Sequence, residues 1–231
     1  MEIDSELQLV DFMNSIAVDV NPRDEGRTTS QVENWSTTKL LVALAKTHHI
    51  KYPVKLLVND KPDFDLIFSK SKVGVEITEA IPEDYARAIA MANRLYPEAI
   101  IDRSHFLWGA PRKSNDEIHE ILESSINRLS GPGWEGDSVE REWANGISDT
   151  IHSKLKKLNN NGYRLFPKYW LAIYDNLRGP ALNLKLGVKF LREILPNQDS
   201  YKHSFQYVFI EVGNTMVSIS KGGQLRYYPI A

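Results

Sequence analysis

The segment Pro62-Asp63-Phe64-Asp65-Leu66-Ile67-Phe68, a polar turn at 69–72, and then Val73-Gly74-Val75-Glu76-Ile77-Thr78-Glu79 decide how this chain is read. In the first half Phe64, Leu66 and Phe68 take one face, and Asp63, Asp65 and Ile67 the other. In the second half Val73, Val75 and Ile77 oppose Gly74, Glu76 and Thr78. A period of two is the pattern of a strand. Two such strands joined by a four-residue turn make a hairpin, which sets Asp63 and Glu76, thirteen positions apart, side by side across the ladder. Carboxylates about 4–5 Å apart repel unless a cation lies between them. An all-oxygen pair suits a hard cation such as Mg²⁺, with waters left free to attack a phosphate. Without a cation, Asp63 also suits a strand start at a turn and Glu76 a solvent-facing strand position.

Working outward, Val54–Val58 is a short apolar strand after Pro53, and Asn59-Asp60-Lys61 is turn chemistry. Upstream, Ser30-Gln31-Val32-Glu33 is a capping box that opens a helix to about residue 47, with Val32, Trp35, Leu41, Leu44 and Ala45 available for burial. Residues 1–29 form an arm with a short helix over 7–13. Downstream, 82–143 reads as a helical insertion. It holds a helix at 83–95, then a second capping box at Ser114 and Glu117 with the stripe Ile118, Ile121, Leu122, Ser125, Ile126 and Leu129, and a break at 131–136. A helix over 146–158 follows, carrying Ile147, Ile151, Leu155 and Leu158 in phase, and then a strand at 169–174. The remainder predicts a helix at 184–195 stopped by Pro196, and strands at 205–212, 215–220 and 225–228. With no internal repeat and no linker composition, one domain spans 1–231. Its core is 30–79 with 145–175, and 180–231 is a β-rich C-terminal extension.

Pro62-Asp63 followed by Glu76-Ile77-Thr78, behind a helix that carries Glu33, resembles the PD-(D/E)xK nuclease superfamily, whose core runs helix–strand–strand–strand–helix–strand. The resemblance covers roughly residues 30–175 and rests on a short motif together with element order. It implies a restriction-endonuclease-like mixed sheet flanked by helices, and a Mg²⁺- or Mn²⁺-dependent nuclease that hydrolyses phosphodiester bonds, in DNA by preference. By the same likeness Asp63 and Glu76 are metal ligands, the Ile77 carbonyl is the third contact, and Glu33 is an additional helix-borne acid. Position N3 of the capping box by itself also accounts for a Glu at 33.

The departure is Thr78, where the motif has Lys. That Lys helps position the attacking water and offsets charge in the transition state. Three explanations stand: a tolerated substitution, a Lys that has migrated to another element, or a silent site. For migration the candidate is Lys154. At 100° per residue from Ile147, the stripe Ile147, Ile151, Leu155 and Leu158 covers about 0–80°, Lys154 lies near about 340°, Lys157 near about 280° and Lys156 near about 180°. Lys154 therefore borders the buried face, where a snorkelling surface Lys would also sit.

Composition removes other classes. The 231 residues contain no Cys, which excludes disulfide scaffolds, thiol catalysis, iron–sulfur clusters and Cys-ligated zinc. The six His show no zinc-ligand spacing. Gly131-Pro132-Gly133-Trp134-Glu135-Gly136 matches G-x-G-x-x-G but follows a helix, outside any strand–helix–strand unit, and reads as a helix-terminating loop. The acidic N-terminus lacks the pattern of a signal peptide, and no apolar run spans a bilayer, so a cytoplasmic location with no membrane partner is expected. A net charge of -2 argues at first against nucleic acid. Yet residues 1–149 carry 16 basic and 26 acidic side chains, and residues 150–231 carry 12 and 4. A basic half beside an acidic half is compatible with a phosphate backbone along one side, contacted by Lys154, Lys156, Lys157, Arg164 and Lys168. A homodimer would present one site to each strand of a duplex. Two other readings remain: a catalytically silent protein of the same fold that binds nucleic acid or a protein, and an unrelated α/β interaction protein.

Overall fold

The structure, a computed structural model, describes residues 2–15, 29–46, 50–160, 162–177 and 179–230, with the backbone alone at 13, 14, 29, 30, 32–34 and 46. Eight strands form one mixed sheet in sequence order: β1 (Glu2–Ile3), β2 (Val54–Val58), β3 (Phe64–Phe68), β4 (Ser71–Ala80), β5 (Lys168–Asp175), β6 (Phe205–Val212), β7 (Thr215–Ser220) and β8 (Leu225–Pro229). β4, β5 and β6 run parallel, and all other neighbours are antiparallel. Parallel neighbours need a long crossover, and helices supply both. α3 (Glu83–Leu95), α4 (Asn115–Ser124) and α5 (Ser138–Leu158) connect β4 to β5, and α6 (Leu184–Ile194) connects β5 to β6. The strands of the C-terminal third thus continue the same sheet through β6, β7 and β8.

Helices cover both faces, because the central strands are apolar on both. α1 (Glu6–Ser15) and α2 (Thr29–Lys46) set Leu9, Leu40, Leu41 and Leu44 against Leu66, Val75, Ile77, Trp170 and Phe209. On the other face Trp143, Ile147, Ile151 and Leu155 of α5 meet Leu171, Ile173, Val208 and Ile210. Each of these fully buried α5 side chains contributes roughly 1.5–3 kcal/mol, far more than local helix propensity supplies.

The insertion has its own small core of Tyr85, Ala88, Ala92, Phe106, Ile118 and Leu122. Arg103, 4 % exposed, fastens it to the sheet layer through the carbonyls of Leu177 and Phe106 and the carboxylate of Glu142. The 131–136 loop belongs to this anchor. Asp102 accepts from the amides of Ser104 and Gly131, and a Cβ at Gly131 would lie 2.3 Å from Ser104 Oγ. Glycine here serves a close backbone approach to a side chain of the chain itself.

Several boundaries differ from expectation. α5 begins at Ser138, eight residues before the expected start at Gly146, so its first two turns lie in the stretch read as insertion. α4 stops at Ser124 and leaves Ile126 and Leu129 exposed. The reason is local: the Ser124 and Ser125 hydroxyls both bond to the Ile121 carbonyl, and Asn127 turns to φ 55°. β1 has only two residues and carries no readable alternation. The expected side-chain cap by Ser30 and Glu33 lies outside the described side chains.

Candidate active site

The hairpin puts the two carboxylates where the alternation implied. β3 and β4 pair Phe64 with Val75 and Asp65 with Gly74, and the same register one step further sets Asp63 opposite Glu76. Asp63 itself sits just before β3, not within it. One of its oxygens, Oδ2, accepts from the Ile77 amide at 2.5 Å. Glu76 lies on the α5 side of β4 and is 2 % exposed. This corrects the solvent-facing alternative for that residue, because α5 and β5 cover it.

Lys154 reaches Glu76 from α5. Its Nζ donates to Glu76 Oε2 at 2.9 Å and to the Ile77 carbonyl at 3.0 Å. An ammonium therefore stands between the expected metal ligand and the expected carbonyl contact. The other Glu76 oxygen, Oε1, is buried and has no hydrogen-bond partner. A buried carboxylate oxygen without a donor is costly.

The segment between α5 and β5 brings two more side chains to the hairpin. Tyr163 is half-buried beside the carboxylates. Burial, and after it the negative charges of Glu76, Asp63 and Asp60, push its phenol up. Arg164 bonds Asn59 Oδ1 at 3.1 Å and Asp65 Oδ2 at 3.3 Å while remaining 60 % exposed. Asp65 is 1 % exposed, its Oδ1 has no partner, and burial raises its pKa against the opposing pull of Arg164, Asn59 and Lys72. The sequence reading did not assign Asp65 to the site. The signal was present, since Asp63, Asp65 and Glu76 alternate onto one face of the hairpin. Tyr163 had no such signal, because loop geometry alone brings it over the strands.

The other candidates separate. Lys156 and Lys157 are exposed on the far side of α5, and Lys168 is exposed at the start of β5. The Glu33 side chain lies outside the described residues. Among the described residues, no group of three or more His, Cys, Asp or Glu is placed to hold a metal ion. The fitting donor set is smaller: Asp63, Glu76 with its unpartnered Oε1, and the Ile77 carbonyl, all of them oxygen and suited to a hard cation. Thr78 is partly buried on the same face as Glu76 and carries no ammonium. Lys154 supplies the positive charge instead.

Comparison with protein-family models, with curated proteins and with solved structures finds no match. The class of protein that the fold defines is an α/β protein, with an eight-stranded mixed sheet and six α-helices among the described residues. Among the described residues no helix is long and apolar enough to cross a membrane.

Proposed function

We propose that this protein is a divalent-metal-dependent nuclease of restriction-endonuclease-like fold, hydrolysing phosphodiester bonds in nucleic acid, with DNA the favoured substrate. One observation carries the reading: Lys154, in the last turns of α5 and far from the hairpin in sequence, donates to Glu76 and Ile77 where the motif Lys is replaced by Thr78. A cation has thus been restored at the carboxylate pair from a different element. Its buried neighbour Glu76 Oε1 supports a further cation there.

Asp63, Glu76 and the Ile77 carbonyl would hold Mg²⁺ or Mn²⁺. When bound, such an ion supplies Lewis acidity and a lowered pKa for coordinated water. The chain's own contributions follow from the geometry. Lys154 offsets the charge of the carboxylates and is positioned to donate to a water or to a phosphate oxygen. The Ile77 amide fixes the Asp63 rotamer through its bond to Oδ2.

The same ion pair favours a second reading. The Lys154 ammonium offsets the Glu76 charge from within the chain and donates to the Ile77 carbonyl as well, which suits a silent fold that binds nucleic acid only. Incubation with supercoiled plasmid and RNA in Mg²⁺, Mn²⁺ or EDTA distinguishes the two. Metal-dependent cleavage that disappears in Asp63→Ala and Glu76→Ala is the expected result. Binding without cleavage would establish the silent protein, and neither binding nor cleavage would leave an interaction protein of another kind.

A further inference from the structure

Away from the carboxylate pair, two open clefts adjoin at the end of the sheet where β4, β5 and β6 begin. One encloses about 340 Å³ and is lined by Lys51, Ser71, Lys168, Gln206 and Tyr207, among others. Its neighbour, about 430 Å³, shares Lys168, Gln206 and Tyr207 and adds Lys221. The shared residues make them one groove. β-pairing sets its floor: Val73 faces Lys168, Tyr207 faces Ser220, and the Lys221 amide bonds the Gln206 carbonyl.

The lining is one-sided in charge. Three lysines contribute to it, and no Asp or Glu lines either cleft. Among the described residues Lys51 and Lys168 form no ion pair. Lys221 pairs with Asp199, but both partners are exposed, at 45 % and 80 %, so a phosphate can displace that contact at little cost. Trp170 also lines the first cleft, and its indole Nε1 is buried without a partner, one more donor facing no acceptor. By contrast, the cleft along α6, lined by Lys185, Lys189 and Arg192, includes Glu193.

We infer that this groove is the track for the phosphodiester backbone of a bound nucleic-acid strand, with Lys51, Lys168 and Lys221 as its phosphate contacts. A surface of ammonium groups, an amide, hydroxyls and the aromatic side chains Phe68, Trp170 and Tyr207 without carboxylates suits a polyanion with bases to stack, and two adjoining open clefts suit a strand better than a compact ligand. The identity of the ligand rests on the nucleic-acid reading above; the groove itself does not depend on cleavage. Of the five contacts expected from sequence, Lys168 lines both clefts, Lys154 and Arg164 are engaged with Glu76 and Asp65, and Lys156 and Lys157 are exposed on α5 and line neither cleft.

The test is binding of a short labelled DNA duplex, and its single strand, by fluorescence anisotropy in EDTA across a salt series. Three proteins are compared: wild type, Lys51→Ala/Lys168→Ala/Lys221→Ala, and the charge-matched Lys185→Ala/Lys189→Ala/Arg192→Ala. On duplex, the groove variant is expected to flatten the log–log salt slope by about 0.9 per lysine, about 2.7 in all, with roughly tenfold or greater loss of affinity. The α6 variant should change far less. Equal loss in both variants would mean a net-charge effect and overturn the groove. Unchanged binding in the groove variant would overturn it too, while leaving cleavage by Asp63 and Glu76 intact as a separate result. Wild type that binds no nucleic acid would overturn the ligand assignment and the parent reading together. Circular dichroism of each variant shows whether the fold is retained.

Discussion

Glu76 and Lys154 form a pair that is costly to leave half made. Their side chains are 3 % and 15 % exposed, so neither is well solvated, and the Lys154 ammonium satisfies both Glu76 Oε2 and the Ile77 carbonyl. Removing one partner from a buried pair costs more than the pair is worth, because the remaining group is left without a counter-charge. Lys154→Met is therefore expected to destabilise the protein by about 3 kcal/mol. Glu76→Gln in the same chain should restore much of that loss. Urea denaturation of the single and double variants checks both, and equal stability of Lys154→Met and wild type would show that the pair is not maintained in solution. At this scale much of the site was legible. Alternation placed Asp63 opposite Glu76, and the helical phase placed Lys154 toward the sheet and Lys156 away from it. Tyr163 was not legible as a neighbour of the carboxylates, because no periodicity governs a loop.

At the scale of elements, the crossover helices must approach each other closely to cover parallel strands. α5 and α6 do so at Gly187, where an added Cβ would lie 2.9 Å from the Trp143 ring. Trp143 has little freedom to yield: it is 2 % exposed and its Nε1 donates to Asp175 at 2.8 Å. Alanine gains about 1 kcal/mol in helix propensity over glycine, but overpacking a rigid contact costs about 1–3 kcal/mol. Gly187→Ala is therefore expected to be net destabilising, by up to about 2 kcal/mol. Thermal denaturation reads the sign, and a raised midpoint would show that the helices separate freely. The α5 boundary that differed from expectation has the same origin. Gly146 is the expected start of this helix but lies inside α5, because packing against Leu177 and Trp108 outweighs its low propensity.

For the molecule as a whole, one buried acid couples folding to pH. Glu211 on β6 is 3 % exposed, and burial pushes its carboxyl up to about 8, with Lys39 pulling it down and Asp175 pushing it further up. In the unfolded chain a Glu titrates near about 4.3. Between those values the folded protein holds a proton that the unfolded chain has released, so this group's contribution to stability falls as pH rises. Glu211→Gln removes the linkage. Urea midpoints measured from about pH 5 to about pH 8 are expected to fall more steeply for wild type than for the variant. Parallel curves would show that Glu211 titrates as an ordinary exposed carboxylate. The charge asymmetry between the two halves of the chain also belongs to this scale. Sequence located an excess of basic residues after residue 150, but folding distributes them among α5, α6 and the groove at the strand starts, three surfaces with different neighbours.

The sequence by itself determined strands β2 to β8, their order along the chain and the register that sets Asp63 opposite Glu76. Those features follow from local periodicity and short turns, which act over a few residues. Tertiary structure decided the rest. Only packing of α5 against β4 brings Lys154, 78 positions away, within 2.9 Å of Glu76. Only the assembled sheet, parallel at β4, β5 and β6 and antiparallel at β2–β3–β4 and β6–β7, gathers Lys51, Lys168 and Lys221 along one end. Contacts between distant segments depend on the crossover path and the buried core, and no window of local sequence carries that information.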